Sequence, residues 1–152
     1  MNISRMTLAL LAVGFTVIIA PHPAFTETAA TAVEPLVLRK IMRELGKNMQ
    51  HISDSIARED WALIAEIAPR IADHPKPPLT EKIHILAFVG TDVGKYRDYD
   101  EKTHQAGQEL RRAAMQNDGT EVISAFATLQ ESCVTCHQSF RKSFQENFYE
   151  QR

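Results

Sequence analysis

The stretch Cys133-Val134-Thr135-Cys136-His137 lies inside a long apolar pattern near the end of the 152-residue chain. Apolar residues around it recur at alternating steps of three and four, as on one face of an α-helix. These residues are Val122, Phe126, Leu129, Cys133, Cys136, Phe140, Phe144 and Phe148. Because a helix turns once in about 3.6 residues, both sulfurs and the imidazole lie on the same side. The stretch therefore predicts a C-terminal helix that presents two thiols and an imidazole to one ligand.

Cys-Xaa-Xaa-Cys-His is the spacing by which two thiols bind one haem while the adjacent histidine reaches its iron. The chain contains two cysteines, and both belong to this motif. A dithiol redox centre is an alternative, but it usually follows a strand in a βαβ unit, and no strand pattern precedes this motif. A zinc site would need two further ligands, for which His104 is a distant candidate. We expect one covalently attached haem c, bound through Cys133 and Cys136.

The start of the chain has the layout of a secretory signal peptide. Arg5 precedes an almost wholly apolar run over residues 6–20, and two prolines and several small residues follow. This run is shorter than the roughly 20 apolar residues that span a bilayer. We expect a signal peptide over 1–24, with cleavage as late as residue 32, and one mature domain over 33–152. Export to a bacterial periplasm agrees with the haem motif, because haem c is attached outside the cytoplasmic membrane.

The charge of the chain limits its partners. The formal net charge is −2 at pH 7 with histidine neutral, and the chain has no basic excess that would hold nucleic acid or anionic lipid. We therefore expect no nucleic-acid partner and no stable membrane insertion after the leader is cleaved. No set of residues resembles the acid, base and nucleophile of an enzyme, so we predict no catalytic residues.

Two helices are predicted in the first half of the mature chain. A stripe of apolar residues predicts helix one over 35–58, with Pro35 in its first turn. Helix two follows over 61–73, and Asp60 is placed to cap its N-terminus. Pro69 lies inside the second pattern, where it predicts a kink or an early end.

The second half of the mature chain predicts two further long helices. Thr80 is placed to cap a short apolar segment over 83–89, and a break or loop is expected over 91–100. Helix three is predicted over about 98–116, and Thr120 is placed to cap the haem helix. No strand pattern of useful length appears. The sequence thus predicts an all-α protein, an antiparallel four-helix bundle with haem attached to the C-terminal helix.

The chain resembles the class II c-type cytochromes, the cytochrome c prime superfamily. A signal peptide, an all-helical chain of this size and a haem motif near the C-terminus are features of that family. Residues 133–142 are similar to the family's end motif, in which an aromatic residue and a basic pair, here Phe140, Arg141 and Lys142, follow the histidine. The similarity is specific in this segment and only architectural over 35–119.

The resemblance implies roles for individual residues. His137 is then the proximal iron ligand, and Arg141 lies beside the proximal pocket, although a solvated cation is an alternative for Arg141. The family's distal position lies on helix one, and aligning residues 42–46 with the family pattern puts Met42 there. Low-spin members carry a methionine at that position, whereas high-spin members leave the iron open. Met49, seven residues on and on the same face, and an open site are the alternatives.

Bis-histidine ligation by another histidine of the mature chain is a further alternative. His51 lies on the face of helix one opposite Met42, so it is expected to face solvent. The other candidates cannot be oriented from the sequence. They are His74, His84 and His104.

The sixth iron ligand would decide the function. With His137 and a methionine both bound, no substrate reaches the iron, so the protein would be an electron carrier with transient redox partner proteins. With an open distal side it would bind nitric oxide or another diatomic gas. A haem-free zinc or thiol bundle is a third class, and it would lack a Soret band. Pairing of two bundles into a homodimer, which occurs in many relatives, is left open by the sequence.

Overall fold

The computed structural model of the protein describes residues 36–149, so the predicted signal peptide lies outside the described residues. The described residues form five α-helices and no strands: α1 (Val37–Ala57), α2 (Trp61–Ala72), α3 (Leu79–Val89), α4 (Val93–Met115) and α5 (Gly119–Phe148). A short 3₁₀ turn, Gly90–Asp92, joins α3 to α4. The all-α prediction is confirmed for this part of the chain. None of these helices combines the length and apolar character that crossing a bilayer requires.

The predicted start and end of the second helix are confirmed. The Asp60 carboxylate accepts a hydrogen bond from the Leu63 N–H at 3.1 Å and so caps α2. Pro69 lies within α2 but does not end it, because the helix continues to Ala72. The chain then leaves the helix at the connection that carries His74, as the sequence predicts.

Two predicted caps are wrong. Thr80 lies inside α3, which begins at Leu79 with no side-chain cap. In α5 the cap is Asp118, whose carboxylate accepts a hydrogen bond from the Glu121 N–H at 3.0 Å. The helix begins at Gly119, one residue before Thr120, so the threonine lies too far along the chain to bind the first free N–H groups.

Of the break or loop predicted over 91–100, the break is confirmed at its start and the loop is wrong. Only the 3₁₀ turn interrupts the chain there, with Gly90 at a positive φ of 55°, and α4 is already helical from Val93. Val93, Tyr96 and Tyr99 pack against the apolar residues at the end of α5. This tertiary contact stabilises a helix across a segment whose polar composition favours a loop.

The buried apolar residues form two separate groups. The main core joins α1, α2, α4 and α5: Ile52, Ile64, Ile67, Ala68, Ile71, Ala106, Leu110, Ala113, Ala114, Val122, Ala125 and Leu129. The aromatic core lies where α3, the start of α1, the start of α4 and the end of α5 meet. Its buried members are Leu38, Ile85, Val89, Phe140 and Phe144, with Phe88, Tyr96, Tyr99 and Phe148 packed against them. Burial of each large side chain contributes about 1.5–3 kcal/mol, so the two groups together hold the helices in place.

A close contact between small residues joins the end of α2 to α4. Gly107 lies against Ala72, and a Cβ atom on Gly107 would come within 3.1 Å of the Ala72 nitrogen. Glycine is therefore needed here for the two backbones to approach. The contact holds the connection after α2 against the side of α4.

A glutamate from α3 caps the start of α1. No side chain of α1 or of the residue before it caps this helix. Instead, the Glu81 carboxylate accepts hydrogen bonds from the N–H groups of Val37 and Leu38 at 2.7 and 2.8 Å. The negative charge also faces the positive end of the helix dipole. Glu81 therefore fixes the first turn of α1 against α3.

Candidate functional site

A cavity of about 760 Å³ lies between α1, α4 and α5. Its volume falls within the roughly 300–1,000 Å³ of pockets that hold small molecules or cofactors. All the residues predicted for the haem site line it: Met42, Cys133, Cys136, His137 and Arg141. Met49, the alternative distal ligand, lines it too. The fold thus brings residues from the two ends of the described chain to one cavity.

The cavity lies between the two cores. Three of its lining residues pack against the main core, namely Leu45, Met49 and Phe126. Three others belong to the aromatic core, namely Leu38, Phe140 and Phe144. The cavity therefore separates the main core from the aromatic core. Most of its wall is aliphatic or aromatic carbon.

The two cysteines lie one turn apart in the middle of α5, partly buried and without a disulfide between them. Burial raises the pKa of Cys133. Burial, with the Asp100 and Cys133 charges adding to it, raises the pKa of Cys136 to about 11. Both sulfurs are therefore thiols at neutral pH. A catalytic or redox thiol has the opposite property, a pKa lowered by a helix N-terminus or a nearby cation.

His137 and Arg141 follow the cysteines along the same side of α5. Partial burial, with the Arg141 guanidinium one turn on, lowers the pKa of His137. This shift favours the neutral imidazole, which is the form that ligates a metal. Both side chains are largely exposed, so they lie at the rim of the cavity rather than in its interior.

The two methionines of α1 differ in how they pack. Met49 is partly buried and contacts the main core. Met42 is 40% exposed and belongs to neither core. The usual reason for a methionine in an apolar stripe, core packing, therefore does not apply to Met42. Its thioether is free to contact whatever occupies the cavity.

One end of the cavity is bordered by a contact between α1 and the end of α5. The Arg39 guanidinium lies over the Tyr149 ring, 5.2 Å from its centroid, and both residues line the cavity. Such a cation–π contact contributes about 0.5–1 kcal/mol at an exposed position. It joins the two helices on which the predicted iron ligands lie.

A second polar group lies at the edge of the cavity, which His74 and Asp100 also line. His74 Nε2 lies 3.3 Å from one Asp100 carboxylate oxygen, and His104 Nε2 lies 3.5 Å from the other. The two rings stack with centroids 4.9 Å apart. The hydrogen bond to Asp100 raises the pKa of His74, and the same bond lowers the pKa of Asp100. We call these three residues the His/Asp cluster.

The sequence reasoning missed this cluster. Asp100 and His104 are four residues apart on α4, a spacing that places them on one face and would have identified the pair. His74 lies in an irregular connection, so nothing in its local sequence indicates that it joins them. Two histidines of residues 36–149 lie outside both the cluster and the predicted haem site, and both are exposed: His51 faces solvent, as predicted, and so does His84.

Comparison of the chain with protein-family models, curated proteins and solved structures gives no match. The interpretation of the cavity therefore depends on the residues that line it. Their chemistry is two protonated thiols, a neutral imidazole and a thioether around an apolar space.

Proposed function

We propose that this protein is a periplasmic monohaem c-type cytochrome that carries electrons. In this proposal α1, α2, α4 and α5 form an antiparallel four-helix bundle like that of the cytochrome c prime superfamily, and α3 belongs to a connection. The observation that supports it is the convergence of Cys133, Cys136, His137 and Met42 on one largely apolar cavity. Each of these side chains supplies a group that a haem c site uses.

The donor set fits a covalently held haem c. Cys133 and Cys136, both protonated and partly buried at the cavity wall, would be the attachment points, and neutral His137 would be the proximal ligand. When bound, the haem supplies a one-electron couple at its iron. The apolar residues of both cores exclude water around it, which favours the less charged, reduced form.

Gly46 leaves room at the cavity wall for the proposed group. It lies within α1 and lines the cavity, and a Cβ atom there would meet nothing within 4 Å. Glycine inside a helix costs about 1 kcal/mol relative to alanine. No close contact with another part of the described chain accounts for that cost. In the proposal, the space beside Gly46 would let the flat haem ring lie against α1.

Met42 is the proposed distal ligand. Its thioether would prevent other molecules from reaching the iron and would raise the reduction potential. Since both ligands would stay bound in the two redox states, little reorganisation would accompany electron transfer. Contacts with partner proteins would be small and transient.

A second candidate function is gas binding, with the distal side open. The 40% exposure of Met42 favours it, because neither core fixes the position of the thioether. By contrast, the raised pKa of both cysteines argues against a thiol redox centre.

Optical spectra of the exported protein test the ligand assignment. Oxidised and reduced spectra are recorded with and without carbon monoxide for the wild type, Met42→Ala and Met49→Ala. Met115→Ala is the control, because Met115 is 64% exposed and does not line the cavity. We expect a low-spin wild-type spectrum with the weak far-red band of sulfur-ligated ferric haem, unresponsive to carbon monoxide. Only Met42→Ala should become high-spin and bind the gas.

Three other results would change the proposal. A high-spin wild type that binds carbon monoxide makes gas binding the function. Loss of the far-red band in Met49→Ala but not in Met42→Ala moves the distal ligand one heptad along α1. Absence of a Soret band from the exported wild type, with no haem retained after denaturation, overturns the cytochrome proposal itself.

A further inference from the structure

We propose that the His/Asp cluster, His74, Asp100 and His104, binds a divalent transition-metal ion of the Zn²⁺ type. The site would be built from the connection after α2 and one face of α4. It does not depend on haem in the neighbouring cavity, since none of the three residues is needed for the proposed attachment.

The spacing of the donor atoms fits one ion. Zinc ligands lie about 2.0–2.2 Å from a tetrahedral ion, so neighbouring ligand atoms are about 3.3–3.6 Å apart. Each Nε2 lies at such a distance from an Asp100 oxygen: that of His74 is 3.3 Å from one oxygen, and that of His104 is 3.5 Å from the other. All three donor atoms lie within 4.8 Å of one another. A small rotation of side chains would bring them to a common ion.

The other ring nitrogens are held by the backbone outside the cluster. His74 Nδ1 lies 3.0 Å from the Pro75 carbonyl oxygen, and His104 Nδ1 contacts the Ala72 carbonyl oxygen. A carbonyl only accepts, so each Nδ1 carries the hydrogen and donates it. In the neutral rings this leaves both Nε2 lone pairs directed at Asp100. Backbone carbonyls orient metal-ligating histidines in the same way.

With both rings neutral, three acceptors face one another, and a positive group between them would relieve their mutual repulsion. A carboxylate has no hydrogen to donate, and neither does a neutral Nε2. One proton on His74 would satisfy a single contact. One divalent ion would satisfy both imidazoles and the carboxylate together, with a net charge of +1 for the loaded site. Two nitrogens and one oxygen favour zinc, copper or nickel over calcium or magnesium.

The two histidine rings of the cluster are mostly buried, whereas its carboxylate is accessible to solvent. The His74 side chain is 7% exposed and that of His104 is 19% exposed, whereas Asp100 is 47% exposed. The contact of Gly107 with Ala72 holds the connection against α4, so the two rings are positioned before an ion arrives. The open side at Asp100 leaves room for the ion to enter and for water as a fourth ligand.

Calorimetric titration with Zn²⁺ tests the proposal on the exported full chain after treatment with a chelator. We expect one ion per chain and at least a tenfold weaker affinity in Asp100→Asn and in His104→Gln. His51→Gln and His84→Gln are matched controls, because both histidines are exposed and lie outside the cluster. Their affinity should equal that of the wild type. Circular dichroism confirms that each variant is folded, and Asp100→Asn remains informative if His104→Gln is not.

Three outcomes would overturn the proposal. No stoichiometric binding of Zn²⁺ to the wild type would leave the cluster as an ion pair only. Equal affinity in the wild type and Asp100→Asn would place the ion elsewhere. Binding that is abolished by alkylation of Cys133 and Cys136, and not by Asp100→Asn, would assign it to the thiols.

Discussion

Replacing Glu81 by alanine should lower the free energy of unfolding by about 2 kcal/mol. The first turn of a helix has N–H groups without partners inside the helix. In α1 two of them, on Val37 and Leu38, donate to the Glu81 carboxylate at 2.7 and 2.8 Å. Without Glu81, no other side chain among the described residues caps this helix.

The magnitude comes from three contributions. Loss of the partly buried bond to Leu38 costs about 1 kcal/mol, as for an ordinary N-terminal cap. The bond to Val37 is exposed, so water replaces most of it and the loss is about 0.5 kcal/mol. Removing the charge from the positive end of the helix dipole costs about 0.5 kcal/mol more. For a domain of this size the sum corresponds to a melting temperature lower by about 8 °C.

Urea and thermal unfolding followed by circular dichroism measure the effect. Glu81→Gln keeps one carbonyl oxygen without the charge, so it should lose about half as much stability as Glu81→Ala. The control is Glu109→Ala, on an exposed α4 residue that makes no hydrogen bond or ion pair within residues 36–149. If Glu81→Ala and Glu109→Ala lose equal stability, solvent satisfies the start of α1 and the capping argument fails.

Two further pairs of substitutions test a helix contact and a helix cap by the same unfolding measurements. Gly107→Ala should destabilise by about 1–2 kcal/mol, since its Cβ would lie 3.1 Å from the backbone at the end of α2. Gly94→Ala, with nothing within 4 Å, should gain up to about 1 kcal/mol from helix propensity; an equal gain in both would contradict the close approach. Asp118→Ala should cost about 1 kcal/mol because its carboxylate caps α5. Thr120→Ala should be nearly neutral, and the reverse order would make Thr120 the cap.

The long helices could be predicted because their signals are local. The apolar stripes over 35–58 and 122–148 repeat with the helical period for several turns, and Asp60 caps α2 from the adjacent residue. The start of α4 could not be predicted in this way. Its first turns are polar, and they become helical because Tyr96 and Tyr99 reach the aromatic core, which the end of α5 completes. A contact between distant segments decided that boundary.

The same distinction separates the parts of the candidate site. Cys133, Cys136 and His137 share one face because of spacing alone, so the sequence was enough to group them. Placing Met42 opposite them required a family resemblance, since spacing cannot relate residues on different helices. For His74, neither helical spacing nor a family resemblance indicated that it joins the His/Asp cluster. Its position depends on how the end of α2 packs on α4.

The burial of apolar side chains changes along α1. Near its start Leu38 is buried in the aromatic core, and near its end Ile52 is buried in the main core. Between them, Met42, Leu45 and Met49 face the cavity and bury only part of their surface. An apolar wall of this kind would gain further stabilisation from a group that fills the space, because burial removes the exposed apolar surface from water. Leu45 and Met49 also pack against the main core, so the stripe serves the fold as well. On the proposed function, a group bound in the cavity would bury the rest of this surface, and binding and folding stability would then be coupled.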